Sequence, residues 1–132
     1  MSIVKNIFIV DDDDIFVFLT KRMIKATSRD IKIVEFTDGE QVLEFLKTNI
    51  DNLELLPDIM FLDISMPVMD GWGFLKAYTP LAPSVKKNIA IYIVSSSISP
   101  HDMEKARQFK IVTDFLIKPL AKEKFISILD RV

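Results

Sequence analysis

Short apolar runs recur along the chain, separated by longer segments whose apolar residues fall at helical spacing. The runs occupy residues 3–10, 31–36, 58–62, 89–94 and 115–117. Each is rich in Ile, Val, Leu or Phe and stays apolar through its centre, the pattern of strands covered on both faces. The segments between them are amphipathic. Phe16, Leu19, Met23 and Ala26 share one helical face. Val42, Phe45 and Leu46 share another, as do Phe125, Ile128, Leu129 and Val132.

Punctuation supports the same division. Acid crowds the start of the first helix and Lys21, Arg22 and Lys25 its end, as the helix dipole favours. Asp38-Gly39 and Asp70-Gly71 turn the chain before the second and third helices. Ser99-Pro100-His101-Asp102 reads as an N-cap, a proline at the first helical position and a capping acid. Strand and helix alternate five times, which predicts right-handed crossovers and a doubly wound α/β fold. The expected architecture is a five-stranded parallel sheet in the flavodoxin-like order 2-1-3-4-5, with helices on both faces. Ligands of such sheets bind at the carboxyl ends of the strands, at the switch point between strands one and three.

Composition narrows the classes. The 132 residues suit one domain, 1–132, with no repeat, linker or output domain expected. Hydrophobic residues make up 49% and charged residues 27%, a globular mixture. Net charge is −2 with no basic stripe, which argues against nucleic acid. The absence of cysteine excludes disulfides and thiolate metal sites. The apolar run before Asp11 is too short for a signal peptide, and no stretch approaches the ~18 residues of a membrane span. A soluble, cytoplasmic protein is expected.

Chemistry gathers where the predicted strands end. Strand one ends in Asp11-Asp12-Asp13-Asp14, strand three in Asp63, strand four in Ser95-Ser96-Ser97 and strand five in Lys118-Pro119. Each cluster has a plain reading: a solvated helix start, a turn, a loop, a surface lysine. Their convergence on one edge of the sheet favours a site. Clustered carboxylates repel unless a cation sits among them, and Mg²⁺ suits hard oxygen ligands while keeping waters that a phosphate can replace. A carboxylate such as Asp63 can attack phosphorus and form an aspartyl phosphate. A lysine and a hydroxyl can then hold the remaining oxygens.

With these residues placed, the sequence resembles the receiver family of two-component response regulators, in the stand-alone, chemotaxis-regulator-like form. IFIVDDDD is similar to the family's first strand with its acidic pair. FLDISMPVMDGWGFL is similar to its Asp-x-x-Met-Pro-x-x-Asp-Gly segment, IVSS to its Ser/Thr switch and FLIKPL to its Lys-Pro end. The resemblance implies Asp63 as phosphoacceptor and Mg²⁺ held by Asp12 directly, by Asp11 mainly through water, by Asp63 and by the Ser65 carbonyl. It implies that Ser95 and Lys118 hold phosphoryl oxygens, that Phe115 is the switch aromatic and that Lys118-Pro119 is cis. A sensor histidine kinase or histidine phosphotransfer protein would be the donor, and a separate downstream protein the target. Phosphorylation would draw Ser95 inward and open space for Phe115, changing the face built by strands four and five. Exposed His101, Glu104, Lys105, Arg107, Lys122 and Lys124 are candidates for partner contact on that face, although most such residues are simply solvated.

The sequence departs from the commonest pattern in places. Phe115 has no phenol, Asp114 precedes it in place of Gly, and residues 48–57 and 79–88 lengthen two connections. Asp13 is read as starting the helix rather than tuning a metal. Three other functions compete. A haloacid-dehalogenase-type phosphatase would use Asp11 as nucleophile and Asp13 as acid/base, but only Glu123 and Asp130 follow Lys118 as later acids. A flavin or nucleotide carrier would place a phosphate beside four aspartates, which repel it. An unphosphorylated receiver-like adaptor is the third alternative, although such a protein usually lacks one of the site groups.

Overall fold

Five parallel strands form one sheet in the order β2-β1-β3-β4-β5, as the alternation of segments predicts. The computed structural model describes residues 4–97 and 99–131. Its elements are β1 (Asn6–Val10), α1 (Asp14–Ala26), β2 (Lys32–Phe36), α2 (Gly39–Thr48), β3 (Ile59–Asp63), α3 (Gly71–Tyr78), β4 (Ala90–Ser95), α4 (Pro100–Arg107), β5 (Val112–Ile117) and α5 (Lys122–Arg131). Ile3 and Val132, assigned above to the first strand and the last helix, lie outside the described residues.

Successive side chains of a strand point to opposite faces, so each central strand feeds two cores. Phe8, Val10, Met60, Leu62, Ile91 and Ile93 pack beneath α2, α3 and α4. Ile7, Ile9, Ile59, Phe61, Tyr92 and Val94 pack beneath α1 and α5. Asp13, Asp38, Asp70 and Ser99 cap their helices through side-chain oxygens, and Asp102 completes a capping box with Ser99. At the opposite end of the sheet from the aspartate cluster, Asp58 accepts from the Lys5 and Asn6 amides and pairs with Lys87.

Three expectations need correction. The edge strands are not covered on both faces: β2 fully buries only Phe36 and β5 only Leu116, whereas β1 and β3 are buried throughout. An apolar run therefore reports strand formation here without reporting position in the sheet. β5 also begins at Val112, earlier than its apolar run, because Thr113 and Asp114 face solvent and interrupt the pattern. Finally, α1 buries Phe16, Val17, Thr20 and Ile24 rather than the Phe16–Leu19–Met23–Ala26 stripe. It carries apolar residues nearly all round, so periodicity alone does not fix its inward side; Ile15, Phe18 and Leu19 are exposed.

The third helix starts so close to β3 that its first residue has no space for a side chain. A Cβ on Gly71 would lie 2.5 Å from the Asp63 carbonyl oxygen and 2.8 Å from the Ile64 Cα. Gly71→Ala is expected to destabilise the fold by about 2 kcal/mol or more, because the clash is with backbone that cannot rotate away. Urea unfolding at constant m-value measures this; a loss below about 0.5 kcal/mol, the scale of an unremarkable surface change, would show that the loop yields.

Candidate functional site

The pleat of the sheet decides which side chains meet. Asp11 continues the Ile7–Ile9 side of β1, Asp63 the Ile59–Phe61 side of β3, and Lys118 the Leu116 side of β5. All three thus point toward the α1–α5 layer. Ser95 continues the Ile91–Ile93 side of β4, and Phe115 packs against the α2–α4 core. The predicted site residues are together at one sheet edge but divide between its two faces.

On the first face, Asp11, Asp12 and Asp63 each offer a carboxylate oxygen, all within 4.8 Å of one another. Asp11 and Asp63 are buried and Asp12 is exposed. Lys118 reaches over them: its Nζ lies 2.8 Å from Asp11 Oδ2 and 3.8 Å from both Asp13 Oδ2 and Asp63 Oδ2. The contact with Asp11 is an ion pair without the alignment of a hydrogen bond, and that buried oxygen has no hydrogen-bond partner. A buried acceptor left over inside an acidic cluster suits a hard cation. Mg²⁺–oxygen distances of about 2.1 Å allow two ligands to stand up to about 4.2 Å apart. The three carboxylates therefore need to close only slightly around an ion.

The surroundings fix each carboxylate differently. Asp11 Oδ1 accepts from the Asp13 amide at 2.9 Å. Asp13 itself accepts from the Ile15 and Phe16 amides, in agreement with its reading as the helix start. Asp63 Oδ1 accepts from the Ser65 amide at 3.2 Å. Burial pushes the Asp63 carboxyl up to about 6, and the nearby Asp11 charge adds to this against the opposing Ser65 amide and Lys118.

The loop after Asp63 is held tightly. The Met69 amide donates to the Pro67 carbonyl at 2.7 Å around Val68, whose φ is 65°. That is a strained three-residue turn for a β-branched residue. The Gly39 amide then ties the loop to α2 by donating to the Met69 carbonyl at 2.8 Å. A Cβ on Gly39 would come within 2.9 Å of that same oxygen.

On the second face, Ser95 is buried at the end of β4, but its hydroxyl serves its own loop. It donates to the Ser97 carbonyl at 2.7 Å and accepts from the Ser97 amide at 3.3 Å. Phe115 is half-buried, and Lys118-Pro119 is cis.

Of the predicted contact residues, His101, Glu104, Arg107 and Lys122 are exposed. Lys105 and Lys124 are half-buried, contrary to expectation. The Lys105 ammonium lies 4.8 Å over the Trp72 ring, which stacks on Phe109, and Lys124 approaches Asp114. Long aliphatic stems lie along apolar surface, so a lysine in a polar segment need not be solvated along its length. Sequence reasoning also missed Phe16, whose ring lies 4.7 Å from Lys118 Nζ. Its place two residues after the acidic run, in the first turn of α1, was the available signal. The later acids needed for a haloacid-dehalogenase-type site are both on α5, where Asp130 holds Arg29 at 2.6 Å.

The sequence matches the family described as response regulator receiver domain over residues 7–130. It is 28% identical over 128 residues to the chemotaxis protein CheY of Thermotoga maritima, covering 97% of each chain. It is 30% identical over 126 residues to the chemotaxis protein CheY of Listeria monocytogenes, covering 96% of each. In three dimensions it is similar to a two-component response regulator from Cytophaga hutchinsonii, with a TM-score of 0.85, 26% identity and coverage of 98% and 97%.

The raised Asp63 carboxyl has a consequence for stability. Between its ordinary 3.8 and about 6, the folded protein keeps a proton that the unfolded chain has released. This contribution is present below pH 3.8 and lost as pH rises through about 6. In EDTA, wild-type stability relative to Asp63→Asn is therefore expected to fall across that window. Chemical denaturation of both proteins at several pH values measures it, and parallel curves would refute the shift.

Proposed function

The chain belongs to the response regulator receiver domain family, and on that premise we propose that it accepts a phosphoryl group on Asp63 and thereby switches a protein-binding face. Receivers of this CheY-like kind are signalling modules rather than classical enzymes, and the family binds Mg²⁺ at an acidic pocket. The observation that carries the reading is the convergence of Asp63, Asp11, Asp12 and Lys118 at the ends of β1, β3 and β5. The proposed unit is the single domain of residues 1–132.

Asp63 is the nucleophile. The loop amide of Ser65 orients one of its oxygens and leaves the other toward Lys118. Asp11, Asp12 and Asp63 would hold Mg²⁺, with the Ser65 carbonyl as a further ligand. When bound, the ion neutralises charge on the transferring group. Lys118 meets a second phosphoryl oxygen, and Ser95 gives up its bond to the Ser97 carbonyl to meet a third. That rotation draws the β4–α4 loop inward and frees space that Phe115 can enter. The α4–β5–α5 surface, with His101, Glu104, Arg107 and Lys122 exposed, is the face presented to a downstream protein. CheY-like receivers take their phosphoryl group from histidine kinases; a sensor histidine kinase or histidine phosphotransfer protein is the donor proposed here.

Incubation with acetyl phosphate tests the core of this reading by intact mass. The wild type should gain one phosphoryl group in Mg²⁺ and none in EDTA, and Asp63→Asn should gain none. Lys118→Met should slow labelling about 100-fold, the cost of removing one preorganised charge partner. Labelling that survives Asp63→Asn, or that needs Asp11 instead, would overturn the assignment. No labelling of the wild type by acetyl phosphate or by a phosphohistidine donor would favour the adaptor.

A further inference from the structure

Lys118 has a neighbour that is not an ion. The Phe16 ring lies 4.7 Å from its Nζ, close enough for a cation–π contact. Phe16 is in the first turn of α1, and its own amide is fixed by the Asp13 cap at 3.2 Å. The residue is only 6% exposed and belongs to the core shared by α1 and α5, so the ring has little freedom to turn away. Around the same ammonium stand Asp11 at 2.8 Å and Asp13 and Asp63 at 3.8 Å. Asp13 is the solvent-facing member of this set, with its side chain 46% exposed.

Three anions therefore compete for one flexible cation. Lysine is a point charge on a four-carbon stem, so carboxylates alone do not fix where it rests. An aromatic face attracts the ammonium without an acceptor oxygen of its own. It leaves the N–H groups free for oxygen partners while opposing drift toward Asp13 and solvent.

We propose that Phe16 is a positioning residue for phosphoryl transfer, its ring holding the Lys118 ammonium over the strand ends where the oxygens of a phosphoryl group on Asp63 arrive. The inference rests on Asp63 as phosphoacceptor and Lys118 as its charge partner. In transfer from acetyl phosphate, an Asp63 oxygen forms the new bond to phosphorus as the bond from phosphorus to the acetate oxygen breaks. Acetate leaves with the electron pair, and no proton is exchanged. In the transition state the charge of the transferring group is spread over its three equatorial oxygens, and catalysis rests on positioning and electrostatics, so the place of the ammonium governs the limiting rate.

The test follows Mg²⁺-dependent labelling by acetyl phosphate, read by intact mass, for Phe16→Leu, Phe16→Trp, Lys118→Met and Phe16→Leu combined with Lys118→Met. Phe16→Leu is expected to lower the limiting rate about fivefold, the scale of a partly desolvated cation–π contact. Phe16→Trp should restore it, since the open groove bordered by Leu19, Met23 and Leu120 gives an indole room. In the Lys118→Met background, Phe16→Leu should change nothing further. Thermal unfolding checks each variant; if Phe16→Leu fails to fold, Phe16→Met supplies an apolar side chain without a π face. Wild-type rates in the non-aromatic variant, or the same slowing with Lys118 absent, would overturn the proposal. A wild type that takes no phosphoryl group, or one labelled independently of Asp63, would instead remove the reading on which it rests.

Discussion

Two buried carboxylates and a third at the surface share one corner of this sheet, and the cost of holding charge out of water, with their mutual repulsion added to it, governs that corner. Asp11 and Asp63 cannot both be ionised out of water without a compensating charge. The protein supplies part of it through Lys118, 2.8 Å from Asp11, and part through amides of the loops that follow β1 and β3. What is left shows as the raised Asp63 carboxyl and an Asp11 oxygen with no hydrogen-bond partner. A site in this condition favours whatever brings positive charge to it. The same acidic corner then disfavours a bare phosphate, so metal and phosphoryl group are expected to bind in support of one another.

The sheet's pleat separates the residues proposed to accept the phosphoryl group from those proposed to report it. Asp11, Asp63 and Lys118 lie on the α1–α5 side, where the acceptor is built on the central strands β1 and β3. Ser95 and Phe115 follow the opposite side, toward α4 and the sheet edge. The two halves are tied where the Lys118 amide donates to the Ser95 carbonyl at 2.9 Å. On the proposed reading, a change in charge at Asp63 would act on the β4–β5 edge through Ser95 and Lys118, which this bond joins. The proposed acceptor stands on strands that are buried throughout, and the proposed switch aromatic on an edge strand that is mostly exposed or half-buried, where local opening costs less.

Much of this was legible in the sequence because charged residues directly after apolar runs have few places to be. Asp63 after Ile59–Leu62 and Asp11 after Ile7–Val10 can only emerge at strand ends, and the strand order then makes them neighbours. Less legible was anything decided by packing on a helix. Phe16 and Leu19 both look like core residues of α1, yet one lies under a lysine and the other in solvent. That choice depends on how α1 lies against β1 and α5, which no local pattern encodes. Lys105 failed for a related reason: its ring partner, Trp72, is on another helix, and only the assembled fold brings them together. Thr113 and Asp114 hid the start of β5 because an edge strand tolerates polar residues that a central strand excludes.

The β3–α3 loop after Asp63 is fixed by backbone contacts rather than by burial. At its end, Gly71 presses against the Asp63 carbonyl, and only a residue without a side chain allows this. In its middle, Val68 is held at positive φ and is 79% exposed. Burial therefore does not hold Val68 in place. Two backbone bonds do, from Met69 to Pro67 and from Gly39 to Met69. Strain of this kind persists only where the surroundings over-determine it, and it concentrates where geometry serves function. Here it fixes the course of the chain that carries Ser65 past Asp63. Asp63 itself is held by β3, and the Ser65 amide is held by its bond to Asp63 Oδ1 at 3.2 Å. On the reading of Asp63 as phosphoacceptor, a strained turn beside it matches the tendency of such strain to collect at functional sites.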